Sequence, residues 1–418
     1  MNIKELYLKN FRGFEEIRIP LNPHFTAAIG DNGMGKSTLL YGLQVALGAY
    51  LQCLPIPGSP VYRRQFKKSE RFIRWDVEEK SYVSNRDETL VRVISEFGID
   101  EKEVAWSRVM ATNGKTSHNR KFCWQLMDAV DQLLEKRSES KKEIFPVVAS
   151  FGTERTANQL RKGRQAQDKR SRMEKAYLAA LGNKVDFNGV IEWLHNYDKE
   201  LKYEREFEGT REAVFEAISI AIPYLNDIGY NNFYHEIEAV VTIDNKDLGK
   251  KTHSNMSDGL IAMLNLVAEL AFRCVVLNGF LGHMAIKESK GIVMIDELDM
   301  HLHPNWQKHV VRDLKSAFPK LQFVVTTHSP FIVQSLNSDE LINLDKPTDV
   351  DLQDLTVDEV STEVMGVDSE FSIENQEKYE DTKRILENPD ETEVANPLLR
   401  AFLELSRDLK GKNNETTR

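Results

Sequence analysis

Phe25-Thr-Ala-Ala-Ile29-Gly30-Asp-Asn32-Gly33-Met-Gly35-Lys36-Ser37-Thr38 decides how this chain is read. Five uncharged residues make a short buried strand, and the glycine-rich turn behind them opens a helix predicted from Lys36 to about Leu47. The turn fits GxxxxGK[ST], and strand, turn, helix is the context that this pattern requires. Its glycines let backbone N–H groups curl around phosphate oxygens, and the helix N-terminus adds partial positive charge. Lys36 is then placed to reach the β- and γ-phosphates, and the Ser37 hydroxyl to bind Mg²⁺. Gly30, Asn32, Gly33, Gly35 and Thr38 complete the loop around the nucleotide. ATP and Mg²⁺ are the expected ligands.

Two later stretches repeat the design of an apolar strand that ends in polar side chains. Gly291-Ile-Val-Met-Ile295 delivers Asp296 and Glu297 to the carboxyl edge of a sheet, where the phosphate loop also lies. Asp296 is expected to hold Mg²⁺ through water, and Glu297 to polarise the attacking water. Phe323-Val-Val-Thr-Thr-His328-Ser329-Pro330 places a histidine where it can hydrogen-bond a γ-phosphate and sense its loss. His301 and His303 have no further ligand pattern beside them, so a subunit contact is expected there rather than a metal site.

Strands are predicted at Glu5–Asn10, Glu16–Ile19, Leu90–Glu96, Val104–Ala111, Phe145–Ser150 and Phe233–Ile243. Helices are predicted near Trp124–Glu135, at Arg172–Leu181, Asn188–Lys202 and Glu212–Asn226, and, long and apolar, at Asp258–Leu277. Leu51 to Arg86, with three prolines and Gly58, reads as an irregular insertion. The end of the series alternates: strand Gly291–Ile295, helix Asn305–Phe318, strand Leu321–Val325, helix Pro330–Leu336, strand Glu340–Leu344. That order implies an α/β fold with a mixed, largely parallel, covered sheet.

The 418 residues are 41% apolar and 29% charged, which excludes a rod, a collagen and wholesale disorder. Three scattered cysteines exclude a disulfide scaffold and suit a reducing compartment. Met1-Asn-Ile-Lys-Glu lacks the apolar core of a leader peptide, and Glu269 and Arg273 interrupt the most apolar stretch. The expectation is a cytoplasmic protein with no membrane partner. Net charge is −10, but Asp349 to Glu393 holds 16 acids against 3 bases, which leaves the rest at +3. Two stretches are basic: Arg63 to Trp75, interleaved with aromatics, and Arg155 to Lys175, with eight bases against two acids. Either can hold phosphate and stack bases, or be a solvated face.

With these motifs in this order, the chain resembles an ABC-type ATPase head of the SMC, RecF and OLD branch. Leu8-Lys-Asn-Phe-Arg12-Gly13 is similar to that branch's opening strand motif, and the resemblance implies that Arg12 approaches nucleotide. Asn255-Met-Ser257-Asp258-Gly259-Leu260 resembles its signature motif, with Asp258 in place of the first glycine and Leu260 in place of Gln or Glu. The resemblance implies that Ser257 and Gly259 hold a γ-phosphate bound by another subunit, that ATP joins two heads, and that hydrolysis releases them. It covers residues 1–345, the head, with an insertion at about residues 50–230 that folds partly as a helical lid. Residues 346–418 form an acidic, mostly helical tail for docking. The segments Pro146–Arg155, Asn188–Leu194 and Thr356–Val367 resemble stand-alone bacterial AAA-family ATP-binding proteins, among them the PtuA subunits of Septu anti-phage systems. That resemblance implies a homo-oligomer controlling a separately encoded effector nuclease, of HNH type in the Septu case.

Three functions follow: a regulatory ATPase of a defence complex, a RecF-like repair clamp that grips duplex DNA, and the nucleotide-binding subunit of a membrane transporter. The third is weakest, because the opening and signature motifs belong to the cytosolic branch. Nuclease activity in this chain is not expected, since the 74 residues after Leu344 are too few for a Toprim domain.

Overall fold

The spacing of apolar residues changes along the chain, and two kinds of sheet result. The computed structural model describes every residue except 79, 85–86, 99, 113–115, 118–119, 141, 156–169, 204, 244–245, 347–349 and 368–418. Strands β1 (Asn2–Phe11), β2 (Phe14–Pro20) and β3 (Phe25–Ile29) precede helix α1 (Lys36–Cys53). There follow β4 (Ile73–Asp76), β5 (Ser81–Ser84), β6 (Thr89–Phe97), β7 (Lys102–Met110), β8 (Thr116–Ser117), α2 (Arg120–Ser140) and β9 (Val147–Phe151). Next come α3 (Arg172–Tyr177), α4 (Phe187–Leu201), α5 (Thr210–Ala221), β10 (Leu225–Asn231), β11 (Glu236–Ile243), β12 (Lys246–Thr252) and α6 (Asp258–Asn278). The last strands are β13 (Gly291–Ile295), β14 (Leu321–Thr326) and β15 (Leu341–Asn343). These elements lie in one compact unit, Met1–Val360. Of the second unit, Ser361–Arg418, residues 361–367 are described, and Val367 N–H closes on Ser361 O there. The acidic tail beyond Val367 lies outside the described residues.

One sheet is antiparallel, in the order β2-β1-β6-β7-β8. Its strands alternate buried and more exposed positions, because one face is packed and the other meets water. The other is wholly parallel, β15-β3-β14-β13-β9. Every residue of β3, β9, β13 and β14 is buried, as strands covered on both faces require. The α/β class and the parallel sheet are therefore as read from the sequence. The Gln322 amide joins the two sheets: it donates to Ile3 O (2.7 Å) and Asn22 O (2.9 Å) and accepts from Ile3 N–H (2.8 Å). Helix α1 is buried along most of its length, and the Trp106 indole N–H of β7 donates to Ala46 O.

Helix α6 is long and apolar enough to cross a membrane, but its apolar window is 94% buried, so it is a core helix here. Glu269 and Arg273 form a buried i,i+4 ion pair within it. Arg273 also donates to Ala176 O and Leu178 O, and Glu269 accepts from Asp186 N–H. The pair thereby fastens the end of α3 and the start of α4 to the core. Burial drives the Glu269 carboxyl above its ordinary pKa, and the Arg273 charge opposes this.

Four predicted boundaries are corrected. The helix expected to Leu181 stops at Tyr177, because Arg273 takes the carbonyls that would continue it. The helix expected to Asn226 stops at Ala221, because Pro223 follows, and Leu225 and Asn226 pair with β11 instead. The helix expected over Asn305–Phe318 is two, Pro304–Gln307 and Val310–Ala317, parted at His309, whose φ is −128°. Phe233 and Tyr234 lie in a turn before β11, their N–H groups held by Asn231 Oδ1. Within the stretch expected to be irregular, β4 and β5 pair as a hairpin.

Candidate active site at the carboxyl edge of the parallel sheet

Strand register builds the site. Ile295 pairs with Val325 and Phe151, Val325 with Ala27, and Asn343 with Ile29. Five strands therefore release their chains at one edge, and each carries a polar group there. From β3 comes the phosphate loop. Gly30, Gly33 and Gly35 have φ of 147°, 94° and 100°, in the region that favours glycine. A Cβ on Gly35 would also lie 2.5 Å from the Phe14 ring. The buried Lys36 ammonium donates to Gly30 O (2.6 Å) and Asp31 O (3.0 Å), the carbonyls of its own loop. Burial lowers its pKa, and the carboxylates of Asp345, Asp31, Asp296 and Glu297 work the other way. Asn32 and Gly33 are exposed at the loop's tip, and Thr38 is buried.

From β13 come Asp296 and Glu297. The Ser37 hydroxyl lies 3.2 Å from both Asp296 carboxylate oxygens. A hydroxyl beside a carboxylate is the oxygen donor set that Mg²⁺ takes from a protein when phosphate oxygens and water fill the rest. Among the described residues no cluster of three or more His, Cys, Asp or Glu could hold a metal unaided. Thr326 at the end of β14 donates to Asp296 Oδ1 (2.7 Å) and accepts from Glu297 N–H (2.8 Å). Asp299 in turn accepts from the Thr327 hydroxyl (2.6 Å) and from His328 N–H (3.1 Å). The acid pair and the histidine are thus stitched into one loop layer. The His328 side chain is exposed.

Three groups here escaped the sequence reading. Asp345 follows β15, accepts from Asp31 N–H (2.7 Å) and lies against Gly30. Its signal was present, since Leu341-Ile-Asn-Leu-Asp345 repeats the pattern of apolar strand and then acid. Thr326 carried no signal beyond its place at a strand end. Arg155, read only as part of a basic stretch, is 1% exposed and donates to Glu297 O. Its Nε and Nη1 have no partner. Burial depresses its pKa, and Asp299, Asp296 and Glu297 oppose this; a guanidinium stays charged regardless. Glu297 itself is left-handed, with φ 51°.

The signature residues lie at the start of α6. Ser257 is its exposed N-cap residue, and its hydroxyl makes no capping bond. A Cβ on Gly259 would fall 2.4 Å from His301 O, so α6 starts directly against the chain that follows the acid pair. His303 Nδ1 accepts from Asn305 N–H and caps the next short helix. Asn265, two turns into α6, donates to Arg155 O (2.9 Å) and bonds His253 Nε2 (2.7 Å). The Asn265 atom at His253 is Oδ1, which only accepts, so Nε2 of His253 carries the proton. That ring stacks on Phe187 at 4.3 Å, just before the signature. A buried chain of bonds thus runs from Glu297 to the signature turn.

Arg12, on the β1–β2 turn, stands 4.2 Å over the Tyr41 ring and 3.9 Å from Glu70. The basic stretch around it is half structural. Tyr62 and Phe66 are buried, Arg64 pairs with Glu70, and Arg71 donates to Ala111 O and Thr112 O. Most of the second basic stretch, residues 156–169, lies outside the described residues.

A family model described as "AAA domain, putative AbiEii toxin, Type IV TA system" matches residues 82–334, and one described as "AAA ATPase domain" matches residues 1–148. The chain belongs to the first of these families. This AAA protein is 24% identical over 393 residues to the Retron Vc95 probable ATPase of Vibrio cholerae serotype O1 biovar El Tor, covering 82% of this chain and 73% of that protein. It is likewise 24% identical to the Retron Ec83 probable ATPase of Escherichia coli, covering 82% of this chain and 71% of that protein. Over 99 residues, 21% of this chain and 25% of the relative, it is 38% identical to the Septu protein PtuA of Bacillus thuringiensis. Among solved structures, an Smc head bound to the C-winged helix domain of ScpA matches 81% of this chain and 93% of that one, with TM-score 0.44 and 19% identity. The AAA protein is an ATPase that resembles PtuA, as the motifs implied.

Proposed function

We propose that this AAA ATPase binds and hydrolyses ATP between two copies of itself, and thereby controls a separately encoded effector nuclease in a bacterial anti-phage defence complex. The observation that carries the reading is one sheet edge bearing Lys36, Ser37, Asp296, Glu297 and His328, while Ser257 stands exposed at the start of α6. Lys36 exchanges its loop carbonyls for the β- and γ-phosphates. Ser37 and Asp296 hold Mg²⁺, which supplies charge neutralisation between phosphate oxygens. Glu297 takes the proton of the attacking water, and His328 hydrogen-bonds the γ-phosphate. Arg12 approaches the nucleotide from the β1–β2 turn. Ser257 of the partner subunit, with Gly259 of the partner subunit, closes the site. The Septu and retron names of the relatives support the defence setting, and the resemblance of the motifs to PtuA implies an HNH-type nuclease as effector. A cytoplasmic location suits both.

Mixing subunits tests the reading. Lys36→Ala and Ser257→Arg chains should each lack turnover and should recover part of it when combined. Glu297→Gln should bind ATP and accumulate a dimer by sedimentation velocity. Full turnover by a chain that stays monomeric at every concentration rejects the composite site. A RecF-like clamp would instead show ATP-stimulated, salt-sensitive binding of duplex DNA by the chain alone.

A further inference from the structure

A cavity of about 250 Å³ opens where α3, α4 and α6 meet the 3₁₀ turn Arg205–Phe207. Its walls are aromatic and its rim is cationic: Trp193, Tyr197, Tyr203 and Phe207 with Arg172 and Lys175. The Arg172 guanidinium lies 3.3 Å over the Phe207 ring. Tyr203 is 89% exposed, so a large aromatic face stands in water beside two cations. The Tyr197 and Thr210 hydroxyls both donate to Phe207 O, so neither has a proton left to donate to a ligand. Recognition must therefore come from ring faces, from the cations and from the Glu200 carboxylate on the lining.

We infer that this cavity binds a nucleobase bearing a phosphate, apart from the ATP held by the phosphate loop. A flat π-system stacks on Tyr203 and Trp193, and Lys175 takes the negative charge. Glu200 can accept from an exocyclic amino group of the base. An aliphatic anion would leave the ring faces unused, and a neutral apolar ligand would leave the Lys175 ammonium facing it without gain. The volume admits one base and its sugar rather than a duplex. A free mononucleotide and a single-stranded nucleic acid present the same chemistry.

The test uses the full chain with Lys36→Ala, which removes triphosphate binding at the phosphate loop. Adenosine monophosphate is titrated by calorimetry, and a labelled eight-nucleotide oligodeoxyadenylate by anisotropy. Binding of either probe that weakens about 5- to 150-fold with Tyr203→Ala, the range for losing one base stack, and also with Lys175→Glu, supports the assignment. Response to the oligonucleotide alone assigns a single strand, and response to the monophosphate assigns a free nucleotide. No binding of either probe overturns the inference, as does binding that neither substitution weakens. Tyr203 packs against little, so Tyr203→Ala keeps its thermal midpoint and its ATPase rate in the otherwise unaltered chain. This outcome does not depend on the composite ATP site, which the mixed-subunit assay tests separately.

Discussion

Replacing Arg155 by methionine should separate catalysis from stability. Arg155 is buried, yet one hydrogen bond to Glu297 O is what its guanidinium makes, and Nε and Nη1 go without partners. Each unsatisfied buried donor costs about 1–3 kcal/mol, and the bond to Glu297 returns about 1.5–3 kcal/mol because the donor is charged. Methionine removes the gain and both penalties together, so the unfolding free energy should fall by no more than about 1 kcal/mol and can rise by up to about 4 kcal/mol. Glu297 fares differently. Its left-handed φ of 51° costs about 1–2 kcal/mol, and the Arg155 bond offsets that strain. Freed of it, the residue relaxes and its carboxylate leaves the position from which it would act on water. A loss of about 1.5–3 kcal/mol in the transition state corresponds to turnover lower by about 10- to 150-fold. ATP affinity should stay put, because Lys36 and the loop glycines are untouched. Urea unfolding, nucleotide calorimetry and steady-state phosphate release read the three quantities. Turnover within twofold of the unaltered chain would sink the reasoning, as would an affinity loss that accounts for the whole effect.

Arg273→Met should destabilise by about 3–5 kcal/mol, because it leaves Glu269 buried without its partner. The loss should be smallest near pH 4.5 and grow as pH rises: without the cation the folded-state pKa of Glu269 climbs further above its unfolded value, and ionisation then favours the unfolded chain. A second change, Glu269→Gln, should remove the pH-dependent part, and a pH-independent deficit would contradict the ion-pair account. Gly259→Ala should cost about 1–3 kcal/mol and depress turnover, since the new methyl meets His301 O at 2.4 Å and must push α6 away. Equal turnover in that variant would mean that the close approach has no part in the reaction. Gly35→Ala should lower both stability and nucleotide affinity, because φ of 100° and the Phe14 ring exclude a side chain there. Retained affinity by calorimetry would count against the loop geometry.

The parallel sheet and most of its site were legible because buried parallel strands are short apolar runs, and a polar residue after such a run marks the edge where function collects. Asp296, His328 and Lys36 all follow that grammar. Asp345 follows it too and went unread, although the strand before it was predicted at Glu340–Leu344. Arg155 could not be read, since its meaning depends on Glu297, 142 positions away. Where helices stopped early the causes divide. Pro223 was a local signal passed over, whereas the end of α3 is set by Arg273, which no pattern in residues 172–181 contains. The basic, aromatic stretch near Arg63 looked uniform in sequence, yet folding divides it into buried anchors and the exposed hairpin residues Arg74 and Trp75.

Gln322 gives the molecule a seam with no intermediate setting. The two large sheets share no strand, so no ladder can be peeled apart there one rung at a time. A single amide completes one N–H and two carbonyls, and if it slips all three lose their partner at once. Any parting of the sheets at this seam would break all three bonds together, and the strand that ends in Thr326 is held at its far end like a beam clamped in a wall.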